Sequence, residues 1–235
     1  MSRTILITGA SSSFGQELIS RLPIDVKIIA QSRSPLPKIN DGDPRIINLI
    51  SDFSNSDFLS DFNGKVNFAE IDEVVHFVAS PMRMQNFAAS TSEQLLDDYR
   101  TNFLSIVSLL TKVAATRKQN PRQIRVVLML SDMIGSPKKG ETSYITSKFA
   151  LLGLIKSLSK EYSGNELRIN AVSPSFVETK YVEHFPEFLR KDIENKHPMK
   201  RHCTISEVVD SVEFLLSTKS SFINGQNISI NGGEN

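Results

Sequence analysis

The feature that most restricts the fold of this chain is a recurrence of short, apolar, β-branched runs, several without polar alternation, separated by longer segments of helical spacing. A strand with no polar face must be covered on both sides, which calls for helices above and below a parallel sheet. The runs read as strands are Thr4 to Thr8, Val26 to Gln31, Ile46 to Ile50, Val74 to Val78, Ile124 to Leu130, Ile169 to Val172 and Asn227 to Ile230. Helices are expected over Gly15 to Leu22, Thr91 to Arg117, Thr142 to Tyr162 and Ser206 to Ser217, the last with Ser206 as its N-cap. This alternation predicts an α/β chain with a doubly wound parallel sheet in three layers.

At 235 residues and 40% hydrophobic composition the chain can bury one core, so residues 1–235 are read as a single domain. Lys and Arg total 27 against 26 Asp and Glu, a balance that favours a small-molecule partner over nucleic acid or a membrane. Cys203 is the only cysteine, which excludes an intrachain disulfide, and no Cys/His spacing suggests a metal site. The N-terminus runs straight into Ile5-Leu6-Ile7, and no apolar run approaches the roughly 20 residues that span a bilayer, so a soluble, unprocessed, cytoplasmic protein is expected. Ser34 to Pro44 reads as a surface loop. The long irregular stretch Pro174 to Thr204 follows the carboxyl end of a strand, where ligands bind in open α/β sheets, and residues around 175–204 are the expected substrate lid. Its Arg190, Lys191, Lys196, Lys200 and Arg201 raise the option of an acidic substrate.

The first strand leads into Thr8-Gly9-Ala10-Ser11-Ser12-Ser13-Phe14-Gly15 and then the helical stripe Leu18, Ile19, Leu22. Glycine permits a tight turn, small residues let backbone N–H groups approach a phosphate, and the helix N-terminus adds partial positive charge. Gly9, Ser11, Ser13, Phe14 and Gly15 are therefore read as a phosphate cradle. Farther on, Tyr144 and Lys148 stand four apart in a helical segment, so both side chains leave one face. A phenol is a poor base at neutral pH, but a nearby ammonium favours the phenolate. Such a pair can protonate the alkoxide that develops when a carbonyl takes up a hydride.

These segments resemble the short-chain dehydrogenase/reductase family, in its single-domain branch of 3-oxoacyl-carrier-protein-reductase-like members. The family's first turn reads T-G-x-x-x-G-x-G, and here Ser13 replaces the middle glycine. The resemblance covers nearly the whole chain and implies a Rossmann-type sheet with a nicotinamide dinucleotide. After the second strand the family carries an acidic residue for a ribose 2′-hydroxyl or a basic one for a 2′-phosphate. This chain has Gln31-Ser32-Arg33-Ser34, so Arg33 implies NADP(H), with NAD(H) as the alternative. The same resemblance puts Asp52 at the adenine amino group with Phe53 beside it, and Val78 and Ala79 after the fourth strand, where His76-Phe77 replaces a polar pair. His76 is read first as a packed, hydrogen-bonded residue and otherwise as an adenosine contact. Asn170 to Thr179 is similar to N-x-x-x-P-G-x-x-x-T with Ser175 for the glycine, implying cofactor contacts at Pro174, Val177 and Thr179.

By the same resemblance Tyr144 is the acid/base, Lys148 lowers its pKa and orients the ribose, and Asn102 binds a water that links the lysine to solvent. A serine that holds the substrate carbonyl is also expected. Alignment on Gly135 selects Asp132 for that position, whereas counting thirteen residues back from Tyr144 selects Ser131. Ser131 is favoured, because an ionised aspartate would raise the phenol's pKa and repel a developing oxyanion. The expected activity is NADP(H)-dependent interconversion of a carbonyl and an alcohol on a small molecule, by a homodimer or homotetramer. The alternatives are a non-catalytic NADP(H)-binding sensor or scaffold, and a single-domain lyase or isomerase.

Overall fold

The computed structural model describes residues 3–36, 42–116, 122–162, 166–183 and 185–234. Each anticipated strand forms: β1 (Thr4–Thr8), β2 (Lys27–Ser32), β3 (Ile46–Ile50), β4 (Glu73–His76), β5 (Ile124–Met129), β6 (Leu167–Pro174) and β7 (Asn227–Ile230). They make one parallel sheet in the order β3-β2-β1-β4-β5-β6-β7. The chain therefore starts in the middle of the sheet, winds outward to β3, and returns to lay β4 on the other side of β1. Loops that leave β1 and β4 diverge, which opens a crevice at the carboxyl ends of the strands.

Successive strand residues point to opposite faces, and the packing follows that alternation. Ile5, Ile7, Ile28, Val75 and Val127 pack against α1 (Ser13–Arg21) and α6 (Ile205–Leu216) through Leu18, Ile19, Val208 and Val212. Leu6, Ile29, Val74, Val126 and Ile169 pack on the other face against α3 (Ser105–Ala115) and α4 (Thr142–Glu161) through Ile106, Leu109, Leu151 and Ile155. Each such side chain contributes roughly 1.5–3 kcal/mol of burial, so sheet position rather than local propensity fixes where the helices lie. The result is the three-layer, Rossmann-type arrangement expected.

Several boundaries differ from the sequence reading. The expected fourth strand ends at His76 rather than Val78, because the chain turns away there into the crevice loop. The expected helix from Thr91 is α2 (Ser92–Tyr99), a π-turn over Arg100–Leu104, and α3; Arg117 lies outside the described residues. So do residues 37–41 of the Ser34 to Pro44 loop. The stretch Pro174 to Thr204 is not irregular throughout, since it contains α5 (Glu187–Lys196), a polar helix with no buried residue and hence no apolar stripe to announce it. Helix α6 is capped by Thr204, not Ser206. Thr204 Oγ1 accepts from Glu207 N at 3.2 Å, and the Glu207 carboxylate accepts from Thr204 N at 2.8 Å, a reciprocal capping box.

Candidate active site

The turn after β1 is built by close approach. Gly9 has φ of 71°, and a Cβ there would sit 3.1 Å from the Phe77 carbonyl carbon and 3.2 Å from Val78 N. At Gly15 a Cβ would lie 2.7 Å from Ala10 Cα and O, so the first turn of α1 rests directly on the backbone of the preceding turn. Ser12 caps the helix by accepting from Gly15 N at 3.1 Å. Gln31, read from sequence only as the start of the cofactor-selecting run, braces the turn: its Oε1 accepts from Gly9 N at 3.1 Å and its Nε2 donates to Ser51 O at 2.7 Å. With Gly15 N taken by the cap, the first-turn N–H groups of Ser13 and Phe14 have no intrahelical acceptor and face outward at the positive end of the helix. Together with Ser11 this cradle fits a dinucleotide's phosphates. The Phe14 ring stacks on Phe77 at 6.0 Å, so its contribution to a ligand is its backbone.

The remaining cofactor candidates lie around the crevice with different availability. Arg33 is exposed at the end of β2 and near enough to Asp52 to favour its charged form, although the N–H and hydroxyl of Ser54 do more to hold that carboxyl low. Phe53 turns into the core and packs on Phe58 at 4.7 Å, which leaves only its backbone toward the crevice. Val78 and Ala79 are half-buried just beyond β4. Pro174 ends β6, Val177 is buried and bridges to Cys203, and Thr179 precedes a short turn without using its hydroxyl as a cap. His76 is wholly buried, with Nδ1 2.7 Å from Thr8 Oγ1, and burial, then the nearby Lys148 charge, lower its pKa to about 3. It is the packed histidine of the first reading.

Tyr144 and Lys148 leave one face of α4, with Lys148 Nζ 5.4 Å from the Tyr144 ring centroid. Lys148 is buried and donates to Met129 O at 2.8 Å, at the end of β5. Tyr144 is half-buried, and desolvation pushes its pKa up to about 12, with the nearby Ser131 hydroxyl pulling down and the Glu141 carboxylate adding to the rise. Burial likewise lowers Lys148 to about 8. Desolvation thus moves both groups toward their neutral forms, while the Lys148 ammonium stands beside the phenol it is expected to assist. The two serine-position candidates part company. Ser131 caps the short turn Asp132–Ile134 and meets Tyr144, while Asp132 turns away and accepts from Asn231 Nδ2 at 3.2 Å on each oxygen.

Asn102 is wholly buried in the π-turn. Its Oδ1 accepts from Ser80 N at 2.6 Å, and its Nδ2 donates to Ser80 Oγ and Ser147 Oγ, each at 3.1 Å. Both side-chain N–H groups are spent on Ser80 and Ser147, and the Asn102 backbone lies within hydrogen-bonding reach of the buried His76 ring. Ser147 passes the contact on by donating to Tyr144 O at 2.7 Å.

Sequence reading did not single out Ser80 or Asp98, and it placed Tyr181 only in the lid. Tyr181 donates to Ser80 O at 2.9 Å, and buried Asp98 accepts from Ser143 Oγ at 2.6 Å, beside Tyr144. No short-range signal marks these residues, because their partners are distant in sequence. The basic residues that raised the acidic-substrate option are largely neutralised locally: Arg190 pairs with Glu178, Lys191 with Glu187, Lys196 with Asp192 and Arg201 with Glu207.

A family model described as enoyl-(acyl carrier protein) reductase matches residues 52–235. A 3-oxoacyl-[acyl-carrier-protein] reductase of Buchnera aphidicola subsp. Schizaphis graminum is 30% identical over 242 residues, covering 98% of this chain and 96% of the relative. Among solved structures, ElxO with NADP bound superposes with a TM-score of 0.86 at 21% identity, covering 100% of this chain and 99% of the other. The 3-ketoacyl-(acyl-carrier-protein) reductase from Brucella melitensis complexed with NADH gives a TM-score of 0.83 at 20% identity, covering 99% and 98%. At these identities the structural matches establish a common fold; the first of these proteins holds NADP and the second NADH.

The contact under Gly15 yields a direct expectation. Gly15→Ala must displace the Ala10 backbone, at about 1–3 kcal/mol of overpacking, and should weaken dinucleotide binding at least roughly tenfold. Fluorescence titration of a folded variant checks this, and unchanged affinity would show that the turn is not the phosphate cradle.

Proposed function

The chain belongs to the short-chain dehydrogenase/reductase family, and on that premise we propose that Tyr144 is the proton donor and acceptor of an NADP(H)-dependent reaction. The protein is an oxidoreductase that interconverts a carbonyl and an alcohol. The observation that carries the reading is that the Ser131 hydroxyl stands beside Tyr144 while the neighbouring Asp132 carboxylate is engaged by Asn231.

A bound nicotinamide supplies or accepts the hydride. The residues of the chain do the rest. The cradle of Gly9, Ser11, Ser13, Phe14 and Gly15 holds phosphates, and Arg33, free of any carboxylate in its own run, receives a 2′-phosphate. Asp52, Val78, Ala79, Pro174, Val177 and Thr179 line the remainder of the dinucleotide's path, with Phe53 contributing backbone. Ser131 donates to the carbonyl oxygen and Tyr144 delivers its proton as charge develops there. Lys148, anchored on Met129 O, keeps a positive charge beside the phenol. Asn102 steadies the start of α4 through Ser147, and to it falls the water that links Lys148 to solvent and resupplies the proton.

The segment around 175–204 acts as the substrate lid of a single domain spanning 1–235. Among the described residues no helix is long and apolar enough to cross a membrane, and we read the protein as a cytoplasmic homodimer or homotetramer that acts on a small molecule.

A protonated phenol with a pKa near 12 is a ready acid and a scarce base. Alcohol oxidation should therefore accelerate with pH, by up to tenfold per unit between roughly pH 6 and 9, while carbonyl reduction shows no such rise. Tyr144→Phe should lower turnover roughly 10²–10⁴-fold in both directions and still bind dinucleotide. An oxidation rate whose pH dependence is the same in Tyr144→Phe as in the parent protein would contradict the assignment. For the cofactor, Arg33→Asp should cost NADPH about 1.5–3 kcal/mol of binding and turn preference toward NADH. Competition titration with both dinucleotides measures it, and an unaltered preference rules out Arg33 as the 2′-phosphate site.

A further inference from the structure

Tyr181 links the segment after β6 to α4 through two residues, Ser80 and Asn102. Its hydroxyl donates to the Ser80 carbonyl at 2.9 Å across 101 positions of sequence. The N–H of Ser80 is held by Asn102 Oδ1 at 2.6 Å, and its hydroxyl accepts from Asn102 Nδ2 at 3.1 Å. The other N–H of that carboxamide reaches Ser147, next to Lys148 on α4. A phenol on the lid segment thus grips the residue on which Asn102 is anchored. The group suits the task, since burial first, and then the proximity of Tyr144 and Asp98, push its pKa up and keep it a neutral donor. The segment that carries it is tied down a few residues earlier: Glu178 meets both Arg190 and His202, and Phe176 packs on the His202 ring at 4.8 Å.

We propose that Tyr181 is a positioning residue for the reaction: its hydroxyl latches the lid segment onto Ser80, which fixes the Asn102 carboxamide and, through Ser147, the turn of α4 that bears Tyr144 and Lys148. The inference rests on the proton-transfer role given above to Tyr144 and Asn102. It also gives the lid a second effect beyond enclosing substrate, because seating the segment sets the geometry of the proton path. Phenylalanine at this position keeps the ring and removes only the donor, so the effect should match the loss of one hydrogen bond, about three- to tenfold in rate.

The test compares Tyr181→Phe, Ser80→Ala and the double variant with the parent protein. We expect kcat to fall about three- to tenfold in each single variant with a smaller change in KM, and the solvent deuterium isotope effect on kcat to rise. Ser80→Ala removes the hydroxyl that accepts from Asn102 but keeps the carbonyl that Tyr181 grips, so the two substitutions break successive links of one path and the loss in the double variant should fall short of the product of the single losses. In the dinucleotide-free protein, amide hydrogen exchange over residues 100–104 should quicken in Tyr181→Phe. A change confined to KM, losses that multiply in the double variant, or unaltered exchange over 100–104 would each overturn the latch. If the parent protein turns over no carbonyl at all, the functional reading fails, and the exchange measurement alone still decides the latch.

Discussion

The Asn102 carboxamide has both N–H groups and one oxygen lone pair committed, to Ser80 from the loop after β4 and to Ser147 of α4. The rest of the site depends on that arrangement. A buried amide left half-satisfied would cost about 1–3 kcal/mol per group, so the loop and the helix are held in the one relation that satisfies it. The helix carrying Asn102 accommodates this with a π-turn in which Ser105 N–H reaches back to Arg100 O, and such turns concentrate at functional positions because they break the regular ladder and present backbone groups. The sheet topology explains why these elements meet: β4 and β5 are neighbours, and the loops after both open on the same crevice.

Burial sets the chemistry of the pair on α4. Tyr144 rises to about 12 and Lys148 falls to about 8, each toward its neutral form. The phenol thereby stays protonated across the neutral range, and the nearby Ser131 hydroxyl is the chain's own counterweight. Had Asp132 occupied that place, a carboxylate would have added to the upward pressure on the phenol and opposed negative charge on a substrate oxygen. The one-residue difference between Ser131 and Asp132 therefore separates a site that can reduce a carbonyl from one that resists doing so.

The layers of the fold were legible in the sequence because their cause is local composition: apolar strands demand cover on both faces, and Leu18, Ile19, Ile106 and Leu109 supply it at helical spacing. The glycine turn and the Tyr144/Lys148 spacing were legible for the same reason. What escaped had causes spread over the fold. Helix α5 has no buried face, the α6 cap lies two residues before Ser206 at a threonine paired with Glu207, and the Ser80–Tyr181 contact joins loops far apart in sequence. The choice between Ser131 and Asp132 could not be made by counting, since both registers fit. What favours Ser131 is the short turn over Asp132–Ile134, which is capped by Ser131 and leaves Asp132 to Asn231.

The central claim is that this crevice reduces a carbonyl rather than merely holding a dinucleotide. The most direct measurement supplies NADPH deuterated at the transferable C4 position with a panel of ketones and aldehydes, and reads the products by mass spectrometry. The account predicts an alcohol that carries one deuterium on the former carbonyl carbon for each NADPH consumed. NADPH that binds tightly while no member of the panel acquires deuterium would contradict it, and would favour a dinucleotide-binding sensor on the same fold.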